Sequence, residues 1–120
     1  MLRRFTARFY TDLNKQQLQE KLKSGALLID VRNHDVEATG KLSYEGNTAH
    51  TLPLPEIESA LRLSPNQFKQ LYGFDKPNEK DVVAFSCRAG RRSVTASLAA
   101  EKEGYVNVLN YTGGSNDWFK

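Results

Sequence analysis

Ala26-Leu27-Leu28-Ile29-Asp30-Val31 is a continuous apolar run broken by a single carboxylate near its end. A strand with one wet face alternates apolar and polar residues, whereas a strand covered on both faces is apolar throughout, so this run reads as a central, doubly buried strand. Asp81 to Ser86 reads as a second buried strand and Val106 to Tyr111 as a third strand. Helical patterns lie between them. From Asn14, a capping residue, Leu18 and Leu22 stand four apart, with Gly25 as the stop. Ser93 to Glu103 has helical composition, with Ala96, Leu98, Ala99 and Ala100 ahead of Gly104. Strands alternating with helices require parallel crossovers, so the predicted architecture is an open α/β sheet with helices on both faces. In such sheets ligands bind beyond the C-terminal ends of the strands. Asp30 with Arg32, Cys87, and the Gly113-Gly114 turn all fall at those ends.

The connecting segments carry weaker signals. His34 to Ala38 reads as a short helix before Gly40, and Lys41 to Thr51, polar with Gly46 and Asn47, reads as a loop. Glu56 to Leu63 reads as a short helix with Ile57 and Leu61 on one side. Ser64-Pro65-Asn66-Gln67 is a capping box with proline at the first helical position, opening a helix that carries Phe68 and Leu71 and breaks by Gly73. Ser115 is placed to cap a last turn bearing Trp118, which with Phe119 reads as a core-closing anchor. His34 and His50 read as surface residues.

Composition excludes several classes of function. A chain of 120 residues is about one domain in size, and its apolar runs fall far short of a membrane span. A net charge of +3, without aromatics interleaved along a basic stripe, does not describe a nucleic-acid binder. One cysteine rules out an internal disulfide, and with two histidines it cannot build a zinc site of the usual spacing, so no metal is expected. That cysteine usage fits a reducing, intracellular compartment. Met1 to Tyr10 holds Arg3, Arg4 and Arg8 among Leu2, Phe5 and Phe9 with no acid. This basic segment suits a mitochondrial presequence, with a plain basic terminus or a first edge strand, and a cytoplasmic location, as the alternative.

The chemistry concentrates in Cys87-Arg88-Ala89-Gly90-Arg91-Arg92-Ser93, between a buried strand and the start of a helix. Backbone N–H groups of a loop curling into a helix N-terminus form an anion cradle, and the helix dipole adds about half a positive charge. Both favour a thiolate. A cysteine with pKa near 8.5 is only ~3% ionised at pH 7, whereas a fall of two units makes it ~75% ionised, with no histidine base. Gly90 permits a positive φ or a close approach, and Ala89 keeps the rim small. A lone cysteine is otherwise a small buried hydrophobe, and three arginines a solvated face. Their coincidence at a strand-to-helix junction is what makes the signal specific.

Asp30-Val31-Arg32 at a strand end, Cys87 to Arg92 followed by Ser93, and Tyr111-Thr112-Gly113-Gly114 with Trp118 resemble the rhodanese domain, and among its members the small single-domain thiosulfate sulfurtransferases. The resemblance runs from about Thr11 to the end, so that residues 11–120 form one rhodanese domain behind the basic segment 1–10. It implies a five-stranded parallel sheet flanked by helices, a persulfide-forming catalytic Cys87, and an active-site loop from Cys87 to Arg92. The expected reaction is a double displacement: the Cys87 thiolate takes the sulfane sulfur of thiosulfate or a persulfide donor, and cyanide or a thiol such as glutathione or a thioredoxin-like protein accepts it. Arg88, Ala89, Gly90, Arg91, Arg92 and Ser93 form the substrate and anion-binding loop. Asp30 and Arg32 support the strand end, and no cofactor is needed.

Two features bear on the alternatives. Rhodanese-fold phosphatases, which this fold also resembles, use Cys-x5-Arg. Here arginine falls five after Cys87, at Arg92, and Ser93 stands six after, giving a cradle one residue shorter than a phosphate requires. A non-catalytic rhodanese-fold interaction module is disfavoured by the intact cysteine. The segment Gly40 to Leu54 departs from the family's Gly-x-Ile-Pro-Gly-Ala pattern and is longer, which reads as a surface insertion.

Overall fold

The computed structural model describes residues 10–33 and 40–120. Strands β1 (Thr11–Leu13), β2 (Leu27–Asp30), β5 (His50–Thr51), β6 (Val82–Ser86) and β7 (Asn107–Tyr111) form one sheet in the order β1-β7-β6-β2-β5, parallel at every pairing. Strands β3 (Ser43–Tyr44) and β4 (Asn47–Thr48) make a separate antiparallel hairpin. The helices are α1 (Lys15–Lys23), α2 (Ile57–Leu61), which follows a 3-10 turn at Leu54–Glu56, α3 (Pro65–Tyr72), α4 (Arg92–Lys102) and α5 (Gly114–Trp118).

The period of two along each strand sorts side chains to opposite faces. Leu28, Ala84 and Leu109 are cross-strand partners and pack with Leu18 and Leu22 of α1, Tyr111 and, at the margin, Trp118. Ile29 and Phe85, also partners, pack on the other face with Ile57 and Leu61 of α2, Phe68 of α3, and Ala96 and Ala100 of α4. Both faces are thus covered, which is why the central runs are apolar throughout. Helix α1 begins at Asn14 through a complete capping box with Gln17, and α3 at Ser64 through another with Gln67. Each removes an orphan N–H at a helix start, about 1 kcal/mol apiece.

Several expectations need correction. Lys41 to Thr51 is not a plain loop: it holds the β3–β4 hairpin and the edge strand β5. The hairpin turns on Glu45 and Gly46, both with positive φ (50° and 87°), as a two-residue turn of this twist requires. Glutamate seldom takes that conformation, so the composition gave no hairpin signal. β5 is two residues long and exists through its register with Ile29 and Asp30, which periodicity cannot reveal. Leu71 is 69% exposed, leaving Phe68 to dock α3. His50 is half-buried and stacks on Phe74 with centroids 4.1 Å apart. Ser115 is no cap: Gly113 occupies that position and Ser115 lies inside α5. Trp118 is half-buried edge-on to Tyr111, while Phe119 is exposed. The helix expected at His34 to Ala38, and the segment Met1 to Phe9, lie outside the described residues.

Candidate active site

Strand β6 ends at Ser86, and the chain enters a loop before α4 begins at Arg92. Cys87, the first residue of that loop, is 1% exposed and packs in the core cluster on the α4 face of the sheet. Its Sγ receives the Gly90 N–H at 3.1 Å and the Ser93 N–H at 3.4 Å, and lies 3.4 Å from the Ser93 hydroxyl. Burial pushes the thiol up. Hydrogen bonds from the Ser93 hydroxyl and from the N–H groups of Ser93, Ala89 and Gly90 act the other way and prevail, so the group ionises below the ordinary thiol value. The arginine charges are not among the causes.

The loop is held open toward the sulfur by what lies behind it. Gly90 has φ of +85°, and a Cβ there would fall inside the envelope of the Thr112 carbonyl oxygen. Only glycine fits both conditions. The Ser115 N–H donates to the Cys87 carbonyl at 2.8 Å and the Asn116 N–H to the Arg88 carbonyl at 3.0 Å. The orphan donors of the first turn of α5 therefore take up the outward-facing carbonyls of the loop. With its carbonyls turned back onto α5, the loop presents its N–H groups to Sγ. Gly114, with φ of +62°, makes room for this contact.

Arg88 and Arg91 are exposed, and Arg92 is half-buried as the first residue of α4. Among the described residues none of the three is ion-paired with a carboxylate, in contrast to Arg62, which bonds Glu103 at 2.7 Å. Helix α4 has no side-chain cap, and its Ser93 N–H points at sulfur instead. Ala89 is exposed on the rim.

Asp30 and Arg32 are both buried, at 0% and 1% exposure, and form a compact pair. Arg32 Nη2 lies 2.6 Å from Asp30 Oδ2, Arg32 Nε donates to the same carboxylate, and the Arg32 N–H donates to Asp30 Oδ1 at 3.0 Å. Arg32 Nη2 also donates to the Gly40 carbonyl at 2.7 Å. Between them, the Val31 N–H donates to the Ser86 carbonyl at 2.8 Å, tying the end of β2 to the residue before Cys87.

The sequence reading placed Cys87, Gly90 and Ser93 on one loop, and these three meet at the sulfur. It did not find the N–H groups of Ser115 and Asn116. The glycine pair at the start of α5 was the one available signal, because backbone groups leave no mark in side-chain identity. Among the described residues no group of three or more His, Cys, Asp or Glu side chains is placed to hold a metal ion, and no helix is long and apolar enough to cross a membrane.

A cysteine under a ring of inward N–H groups at the end of a parallel strand can be compared with known proteins. The Rhodanese-like domain model matches residues 14–120. The chain belongs to the rhodanese-like domain family. A Schizosaccharomyces pombe protein whose name assigns it provisionally as a mitochondrial thiosulfate sulfurtransferase is 41% identical over 107 residues, covering 89% of this chain and 70% of that protein. The human thiosulfate:glutathione sulfurtransferase is 35% identical over 106 residues, covering 87% and 89%. A solved structure of a human single-domain sulfurtransferase superposes on this rhodanese-like chain with a TM-score of 0.79 at 34% identity, covering 95% of this chain and 96% of that one. The five-stranded parallel sheet flanked by helices is therefore the fold of its relatives as well.

Proposed function

We propose that this chain is a thiosulfate sulfurtransferase that carries sulfur as a persulfide on Cys87. The observation that carries the reading is the cradle itself: a thiol held below its ordinary pKa by backbone and Ser93 donors, on a loop with three arginines that make no ion pair among the described residues. The thiolate attacks the sulfane sulfur of thiosulfate, the S–S bond breaks, and the electron pair leaves with sulfite. Arg88, Arg91 and Arg92 attract the dianionic donor and stabilise the departing charge, since exposed cations act on encounter over roughly a Debye length, ~8–10 Å. The inward N–H groups then hold the persulfide. A sulfur this deeply seated admits a slim terminal atom more readily than a bulky group.

Glutathione is the proposed acceptor, following the human relative's name, with a thioredoxin-like protein as a second candidate and cyanide as an assay substitute. Asp30 and Arg32 serve as a brace below the loop. Residues 11–120 act as one rhodanese domain, and the basic segment Met1 to Tyr10, together with the fission-yeast relative's name, supports a mitochondrial location.

The test is thiosulfate-dependent thiocyanate formation and glutathione turnover by the wild type beside Cys87→Ser. The variant is expected to melt within a few degrees of wild type and to lose turnover, and intact mass should show one added sulfur atom in the wild type alone. Retained turnover in the variant refutes the reading.

A further inference from the structure

The Ser93 hydroxyl is buried at 0% exposure, and Sγ of Cys87, 3.4 Å away, is its one hydrogen-bond partner among the described residues. Its position is fixed from below. Ser93 sits in the first turn of α4, its N–H points at the same sulfur, and the Ser97 hydroxyl donates to its carbonyl at 2.7 Å. A buried hydroxyl with one partner is sensitive to what that partner can accept. A thiolate is a strong acceptor; a neutral thiol sulfur or the inner sulfur of a persulfide is a weak one. The charge on Sγ therefore decides how well the hydroxyl is satisfied, and the two half-reactions change that charge in opposite senses.

We propose that Ser93 is a positioning residue specific to sulfur discharge, stabilising Sγ as the leaving thiolate. This rests on the persulfide reading given above. In loading, negative charge on Sγ disappears as it bonds the incoming sulfur. In discharge, the acceptor thiolate forms a bond to the outer sulfur, the bond between that sulfur and Sγ breaks, and its electron pair returns to Sγ. The outer sulfur departs as the acceptor's persulfide, keeping any proton it carried, and no external oxidant or reductant takes part. A donor aimed at Sγ thus favours the direction in which Sγ gains charge. On loading it acts in two opposed ways, raising the fraction of Cys87 that is ionised and lowering the nucleophilicity of the thiolate it stabilises. The N–H of Gly90 shares the contact with Sγ but is main chain, so among the described residues Ser93 supplies the side-chain handle on this step.

The experiment separates the half-reactions in single turnovers for wild type, Ser93→Ala and Ser93→Thr. Thiosulfate loads the enzyme, intact mass follows the added sulfur, and glutathione then discharges the isolated persulfide form. Ser93→Ala is expected to discharge about tenfold more slowly at every pH, as loss of a hydrogen bond to a charged group implies. Its loading should be slower at pH values where Cys87 is only partly ionised and no slower than wild type at alkaline pH, where Cys87 is ionised in both. Ser93→Thr keeps the hydroxyl and should restore discharge. The proposal is overturned if Ser93→Ala discharges at the wild-type rate. It is also overturned if both half-reactions slow equally at alkaline pH, the signature of a misfolded loop, or if threonine and alanine behave alike. If the wild type itself never gains a sulfur atom, the persulfide reading fails, and that failure is visible before any variant is compared.

Discussion

Replacing Gly114 by alanine tests the idea that α5 aims the Cys87 loop. The residue has φ of +62°, and a methyl group there would lie 2.5 Å from the carbonyl oxygens of both Cys87 and Arg88. Ordinary contact begins at 3.4 Å, so the loop and α5 must part by roughly an ångström. Parting them breaks the bonds from Ser115 and Asn116, at about 1 kcal/mol each, and the left-handed conformation adds about 1 kcal/mol for any residue with a Cβ. The sum, about 3 kcal/mol, corresponds to a melting point lower by roughly 10 °C. Misplacing the loop by this distance is expected to lower kcat/KM for thiosulfate about 100-fold. Gly73→Ala is the control, because its φ of +78° carries the same strain but nothing lies within 4 Å of the added methyl. It should lose about 1 kcal/mol and keep full activity. Thermal denaturation and steady-state kinetics on both variants decide the matter. A Gly114→Ala enzyme as active as Gly73→Ala would refute the argument that α5 sets the cradle.

Other consequences are as direct. Because the folded Cys87 thiol ionises below its unfolded value, persulfide formation should persist below the ordinary thiol pKa and fall as pH drops through the lowered value; an acid limb at or above the ordinary thiol pKa contradicts this. The same sign applies to stability: the ionised form's contribution is present above the unfolded thiol's pKa and lost on acidification through the folded one. Asp30→Ala removes the carboxylate that the buried Arg32 bonds and should lower stability by about 3 kcal/mol in denaturant titration. A loss under about 1 kcal/mol would refute the role of the Asp30–Arg32 pair as a brace.

The legible part of the fold was the part written in side chains. Leu18 and Leu22 four apart, the capping residues Asn14 and Ser64, and the apolar runs at Leu28, Ala84 and Leu109 state their structure locally, since each pattern matches the period of the element it forms. β5 and the hairpin were not legible, because His50–Thr51 becomes a strand only when β2 is beside it. The turn at Glu45 and Gly46 departs from the usual residue preference of such hairpins.

For the site, the sequence alone determined the chemistry available: one thiol, a glycine three residues on, a serine six residues on, and arginines between them at a strand-to-helix junction. It could do so because a helix N-terminus and a positive-φ glycine are local facts of the chain. Tertiary structure decided which of these groups act on the sulfur. Hydrogen bonds from Gly90 and Ser93, rather than the arginine charges, lower the thiol's pKa against its burial. Helix α5 and Thr112, more than twenty residues away along the chain, turn the loop's carbonyls outward and its N–H groups inward. Electrostatic influence at short range depends on distance and direction in space, and the sheet order that brings β7 beside β6 sets both.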